Sequence, residues 1–294
     1  MSMRKQFTTT MTELEEQDDR VIVLLNDIGV WAFRFLKEKY PDRVHNLGIL
    51  EQASIGVAAG LSMTGFVPVF HTIAPFIVSR AYEQLKDDFG YQNINGNFVS
   101  IGASFDYSGL GTTHYCPEDV GALMQIPNMQ ILLPGTAREE DLLIKATYQN
   151  GKPTYTRLSE FSNGHDYPVQ FGKAQVIKTG QKGTVIAVGT MLDKAIEATR
   201  EHDVTLLYYT TIVPFDKKTL RETSQTKKFL VCEPYYTGAL ARSVVETFPD
   251  ESLMMDFVGI PHQVISTYGT VAENERELHM TAKDIQDKLR KMGM

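Results

Sequence analysis

Short apolar runs of β character recur along the first half of this chain, each followed by a longer stretch whose apolar residues return at helical spacing. The runs are VIVLL (Val21–Leu25), FVPVF (Phe66–Phe70), NFVSIGA (Asn97–Ala103), MQILLP (Met129–Pro134) and PTYTRL (Pro153–Leu158). Strands of that kind alternating with helices make parallel sheets covered on both faces. Around residues 160–180 the pattern lapses into the polar, turn-rich SEFSNGHDYPVQFGKA, which reads as a linker. A second series follows, with strands at TVIAVGT (Thr184–Thr190), DVTLLYY (Asp203–Tyr209), KFLVCE (Lys228–Glu233) and LMMDFVG (Leu253–Gly259). Its helices fall at Met191–Glu201, Asp216–Thr223, Gly238–Phe248 and Thr281–Met292. The expected fold is α/β, two tandem domains with mainly parallel sheets: residues 1–160, a linker at 161–180, and residues 181–294.

One helix is unlike the others. LGILEQASIGVAAGLSMTG (Leu47–Gly65) sets a single glutamate, Glu51, at the mouth of an otherwise small and apolar segment. Val57, Ala58, Ala59 and Leu61 read as buried, and Gly56 with Gly60 makes a small-residue face that lets another element approach closely. The charge is thereby headed for an interface. Desolvation there favours the neutral acid and the helix N-terminus favours the carboxylate, a balance suited to sharing a proton with a ligand nitrogen. An acidic residue in a first turn also serves as a plain cap, so Glu51 alone does not decide between the two.

Composition narrows the classes. Hydrophobic residues make up 43% of the 294 and charged residues 22%, ordinary for a soluble globular protein. No apolar run approaches the roughly 18 residues that a membrane span needs. The start, MSMRKQFTTTMTEL, has a basic pair but neither an apolar stretch nor a small-residue cleavage site, which argues against a secretory signal and for a cytoplasmic protein. Cys116 and Cys232 stand far apart, in neither CxxC nor Cys/His ligand spacing; they fit a reducing compartment and give no support to a zinc site. With 29 basic against 36 acidic side chains the net charge is −7. Without a Lys/Arg stripe interleaved with aromatics, a nucleic-acid surface is set aside.

Four features of the first half fall in one order: LGILEQ at Glu51, APF at Phe76, GLGTTH at His114, and EDVGALMQIPNMQILLPGTAREE. Each is weak alone. In this order and spacing they resemble the transketolase family, and the second half agrees through TVIAVGT, LYYTTIVPFD and FLVCEPYYTGALARSVVETF. The match is to that family's pyrimidine-binding and C-terminal domains and covers nearly the whole chain. It implies transfer of a two-carbon ketol unit from a ketose phosphate donor to an aldose acceptor, with thiamine diphosphate as cofactor. The family binds the cofactor's diphosphate and Mg²⁺ (or Ca²⁺) through a separate domain carrying a GDG motif, and no GDG occurs in these residues. The resemblance therefore implies the second subunit of a split transketolase. A diphosphate-binding, N-terminal-half partner would bring the metal, in an α2β2-like heterotetramer, while residues 181–294 mainly support assembly.

Residue by residue, the resemblance makes Glu51 the glutamate that hydrogen-bonds a ring nitrogen of the aminopyrimidine and sets its tautomer for proton transfer. Phe76, in HTIAPFIVSRAYEQ, falls where an aromatic ring packs on the pyrimidine. Ile73 falls on a second position that is often aromatic in the family, so the cofactor pocket is expected to be less aromatic than usual. Asp27, ending the first strand in LLNDIG, matches an acidic residue near the thiazolium; strand-end aspartates are also common caps. His114 closes a glycine-bearing loop beyond a strand end, where open α/β sheets take their ligands, and an imidazole suits proton exchange with donor hydroxyls. Arg157, in PTYTRLSE, matches an arginine for the sugar phosphate, a rigid fork suited to an oxyanion. Arg4, in MRKQF, matches a second such arginine from a terminus of the kind that is often disordered.

Two departures from the family pattern bear on specificity. Four residues ahead of the histidine the family commonly carries an aspartate and this chain carries Leu110, and no histidine lies between Val99 and Tyr107, where relatives have one near the acceptor phosphate. Leucine accepts no hydrogen bond, and a buried hydroxyl facing it is left unpaired at a cost of about 1–3 kcal/mol. The expected substrates are therefore sugar phosphates unlike the standard pentose and hexose phosphates, deoxygenated or of altered stereochemistry. Two rival readings share the two-domain plan. A β subunit of a 2-oxoacid dehydrogenase decarboxylating component is disfavoured by the EQ after Gly48-Ile49-Leu50, the TTH loop and Arg157. A non-catalytic assembly partner is disfavoured because a buried carboxyl with no proton to handle is costly to keep.

Overall fold

A computed structural model describes residues 1–294. The apolar runs of the first half become strands β1 (Val21–Leu25), β3 (Val67–Ile73), β4 (Gly96–Ile101), β5 (Gln130–Leu132) and β6 (Pro153–Arg157), joined by a short β2 (Val44–Asn46). They pair in parallel in the order 5-6-4-3-1-2. β1, β3, β4 and β6 are buried along their whole length, as uninterrupted apolar strands between two helical layers must be. Helices α1 (Met3–Gln17), α2 (Arg34–Lys39), α3 (Glu51–Met63), α4 (Ala74–Ile77), α5 (Tyr82–Gln84, continuing in wider π turns to Tyr91), α6 (Asp119–Leu123) and α7 (Ala137–Thr147) cover the faces.

α1 is ordered along its length, which the sequence pattern did not suggest. Ser2 caps it, and Met3, Phe7, Met11 and Leu14 are buried, a helical stripe that packs on α7. α3 differs from expectation on one face. Ile55, Ala58 and Ala59 enter the core, but Val57 is 49% exposed, Leu61 is only partly buried, and nothing else in the chain comes within 4 Å of where a Cβ on Gly60 would stand. The small-residue face is open because no element of this chain lies across it.

The second half supplies β7 (Gln175–Lys178), β8 (Thr184–Val188), β9 (Thr205–Tyr209), β10 (Thr211–Val213), β11 (Lys228–Tyr236) and β12 (Met254–Ile260), with α8 (Leu192–Thr199), α9 (Lys217–Thr223), α10 (Ala241–Thr247), α11 (Val271–Glu277) and α12 (Ala282–Met292). Five of these strands form a sheet in the order 12-11-8-9-7, parallel except where β7 meets β9. β7 lies inside the stretch expected to be a linker; it is a short, half-exposed edge strand whose polar residues hide its period. β10 leaves its own sheet and adds antiparallel to β5, so the first sheet has seven strands. One apolar core runs through both sheets, joining Ile131 and Leu133 to Ile186, Leu207, Tyr209 and Ile212. No helix is long and apolar enough to cross a membrane.

Candidate active site

The parallel strands of the first sheet end on one edge, and the residues singled out in the sequence follow those ends. Asp27 stands just past β1, Glu51 opens the helix after β2, Phe76 lies in α4 after β3, His114 in the loop after β4, and Arg157 closes β6. That edge is where open α/β sheets hold ligands.

Gly48, at φ +75°, turns the chain into α3, and Leu50 offers no side-chain cap, so Glu51 enters the first turn as its only acidic group. Its side chain is 1% exposed. Oε2 accepts a hydrogen bond from Arg80 Nη1 at 2.7 Å, while Oε1 is buried without any partner. A buried carboxylate oxygen lacking a donor is costly, and is kept where a ligand supplies one. The guanidinium carbon of Arg80 lies 4.1 Å from the centre of the Phe76 ring. Phe76 in turn meets the His114 imidazole edge-on at 5.6 Å. Glu51, Phe76 and His114 are thus brought together, with Arg80 joining the first two. Arg80 was not singled out in the sequence, where VSRAYEQ looks like the solvated side of a helix; its place four residues beyond Phe76 was the available signal.

Asp27 is exposed at the mouth of the sheet, at φ +56°. It exchanges hydrogen bonds with Asn46: its N–H donates to Oδ1 at 2.9 Å and its Oδ1 accepts from Nδ2 at 2.7 Å. The neighbouring Asn26 is buried, donates to Ser54 Oγ on α3 at 3.0 Å, and leaves its own Oδ1 unpaired. It is a second open acceptor that the sequence did not single out. Ile73 is buried at the β3–α4 junction, and Leu110 is 55% exposed.

The His114 loop is held largely by the second domain. Gly111 stands at φ +77°, and a Cβ there would lie 2.6 Å from the Tyr268 ring, so only glycine fits. Tyr115 O–H donates to the Thr267 carbonyl at 2.7 Å, and Tyr236 N–H donates to the Pro117 carbonyl at 2.9 Å. His114 itself is half-buried, with Nδ1 3.0 Å from Thr113 Oγ1. Residues 181–294 therefore do more than support assembly; they fix this loop.

Arg157 does not present the free fork expected of it. Its Nε donates to Asp119 at 2.6 Å, and Nη2 donates to Ser104 Oγ at 2.8 Å and to the Pro234 carbonyl at 3.2 Å. Tyr155 O–H adds a bond to the same Asp119 oxygen at 2.9 Å and is itself 2.8 Å from Ser100 Oγ. The physical reason is position: β6 is buried on both faces, and a guanidinium turned inward has to be paired. Arg157 also borders a cavity of about 300 Å³ between the domains, with Asp106, Ser159 and Lys194, which Glu51, Phe76 and His114 do not line. Arg4 lies on ordered helix α1, 4.0 Å from Glu160. No set of three or more His, Cys, Asp or Glu side chains converges to hold a metal.

His71 lies in β3 behind the site. Its Nδ1 donates to the Val99 carbonyl at 2.8 Å, Nε2 has no partner, and burial pushes the imidazole down to about 4 against the opposing pull of the Val99 bond. Since the folded value lies below the ordinary one near 6.5, the unfolded chain takes up the proton first as pH falls. This stabilising contribution is full above about pH 6.5 and is lost toward pH 4. Urea unfolding of the parent and of His71→Gln at pH 7 and pH 4.5 should show the parent losing about 2–3 kcal/mol more than the variant. Parallel pH dependences would show that His71 does not titrate on unfolding.

Comparison with known proteins agrees with this arrangement. The family described as "Transketolase, pyrimidine binding domain" matches residues 1–163, and "Transketolase, C-terminal domain" matches residues 172–285. The 33.6 kDa protein of the fasciation locus of Rhodococcoides fascians is 35% identical over 288 residues, which is 96% of this chain and 92% of that protein. A subunit of the apulose-4-phosphate transketolase of Phocaeicola vulgatus is 29% identical over 92% of this chain and 93% of its own length. A solved split-gene transketolase, described as an inactive β4 tetramer, superposes with a TM-score of 0.89 at 25% identity, covering 99% of this chain and 98% of that one. The chain belongs to the transketolase family, as that family's pyrimidine-binding domain followed by its C-terminal domain.

Proposed function

We propose that this chain is the pyrimidine-side subunit of a split thiamine-diphosphate-dependent transketolase, completed by a diphosphate-binding chain. The observation that carries the reading is the buried carboxyl of Glu51, with one oxygen held by Arg80 and the other without a donor, beside the ring of Phe76. That set fits the pyrimidine half of the cofactor, whose flat ring suits Phe76 and whose ring nitrogen can carry the proton that Oε1 lacks. The chain has no GDG and no converging metal ligands. The diphosphate and its Mg²⁺ or Ca²⁺ therefore fall to the partner, in an α2β2 assembly that is supported by relatives named as separate subunits of a transketolase. Both cysteines are free and buried, which fits work in the cytoplasm.

When bound, thiamine diphosphate supplies the nucleophilic carbon that receives the two-carbon ketol unit. Glu51 accepts and returns a proton at the pyrimidine nitrogen. Phe76 packs on that ring and keeps water from it, with Ile73 behind; Asp27 faces the thiazolium side. His114 exchanges protons with the donor's hydroxyls. Arg157 acts at one remove, tying Ser104 and Asp119 at the two ends of the loop that carries His114. Arg4 is left as the cation for a sugar phosphate.

Leu110 places an exposed apolar side chain where the family pattern has a hydroxyl-reading aspartate, and a relative named for apulose 4-phosphate supports a donor or acceptor outside the standard pentose phosphates. The test is the chain reconstituted with its GDG-bearing partner, assayed with ketose phosphates and separately with 2-oxoacids. Ketol transfer is expected, with xylulose 5-phosphate and ribose 5-phosphate used about tenfold or more less well than the preferred pair, the size of one unpaired hydroxyl. Decarboxylation of a 2-oxoacid would replace this reading with the dehydrogenase subunit. Silence toward both substrate classes would leave an assembly partner.

A further inference from the structure

We infer that Arg80 is a positioning residue for Glu51, an inference that rests on the function proposed above. One guanidinium makes two contacts: Nη1 holds Glu51 Oε2 at 2.7 Å, and its carbon lies 4.1 Å over the Phe76 ring. The carboxyl has no other hydrogen-bond partner, since Oε1 is bare. A glutamate side chain has several rotatable bonds, and packing against small apolar neighbours does not choose among its rotamers. Arg80 does so by taking Oε2, which leaves Oε1 as the single acceptor for a ligand nitrogen. Stacking on Phe76 fixes the plane of the guanidinium in turn, and Phe76 is braced by the edge of His114. A single side chain therefore sets the two groups that meet the pyrimidine relative to each other. Arg80 is 39% exposed against 1% for Glu51, so the arginine is the member of the pair with room to adjust as a ring enters. Lysine can carry the charge but neither the fork nor the stack.

The test compares Arg80→Met, Arg80→Lys and Glu51→Gln with the parent, each reconstituted with the diphosphate-binding partner. Three quantities are read: melting temperature, affinity for thiamine diphosphate with Mg²⁺ by calorimetry, and kcat and sugar KM at saturating cofactor. For Arg80→Met the melting temperature should stay within about 2 °C. Cofactor affinity should fall about tenfold and kcat about ten- to a hundredfold, as for a lost charge-assisted hydrogen bond, with sugar KM unchanged and part of the loss restored by lysine. Parent-like affinity and kcat in Arg80→Met, while Glu51→Gln is inactive, would overturn the role of Arg80 and leave the proposed function standing. Losses that track a lowered melting temperature equally in both Arg80 variants would also overturn it, as a structural effect. An active Glu51→Gln enzyme would instead remove the function on which the inference rests.

Discussion

Glu51→Gln is expected to bind thiamine diphosphate in the assembled enzyme and to lose about 10² to 10⁴ in turnover, the usual cost of removing a general acid or base. Glutamine has the same length and volume as glutamate. Its amide oxygen can keep the bond from Arg80 that Oε2 now accepts at 2.7 Å, so the packing of Phe76 is preserved. Its amide group can still hydrogen-bond a ring nitrogen, but it cannot take up and return a proton. Binding and chemistry are thereby separated, and the separation is read by calorimetry beside single-turnover kinetics. Turnover within about tenfold of the parent would remove Glu51 from the chemistry.

Arg157→Met is expected to cost about 3–5 kcal/mol of stability, because it leaves a carboxylate buried without its counter-charge. Asp119 and Arg157 are both almost fully buried and meet at 2.6 Å, and Ser104 and the Pro234 carbonyl lose a donor at the same time. Removing both charges, in Arg157→Met with Asp119→Leu, should recover much of the loss. Recovery should be incomplete, because Tyr155 O–H also donates to Asp119. Urea unfolding of the two single variants and the double variant measures all of this. Unchanged stability with a raised sugar KM would show instead that the fork reads the substrate's phosphate.

The parallel strands were legible because their apolar runs are continuous; β1 and the start of β6 fall where VIVLL and PTYTRL place them. Elements too short or too polar for a period were not. β2 and β10 span three residues each, β7 is an edge strand, and in α1 a run of threonines dilutes the Met3, Phe7, Met11, Leu14 stripe. At the site, motif spacing named residues that meet, because the ends of parallel strands share one edge. It could not show what pairs with each of them. Arg157 looked like a free cation because Asp119 and Pro234 lie far from it in the chain, and Arg80 looked ordinary because its partner Glu51 is distant in sequence. The open face of α3 has the same origin: Gly56 and Gly60 mark a close approach without saying which polypeptide makes it.

β10 has one more implication. Encoded with the second half and hydrogen-bonded to the first sheet, it works as a stitch, and the continuous core beneath it turns the two halves into one rigid body. A fragment ending before that stitch would bare the β5 edge, the kind of surface that recruits stray strands and precipitates. Any breathing that admits a cofactor must then occur at the seam between polypeptides, because this one has no internal hinge to open.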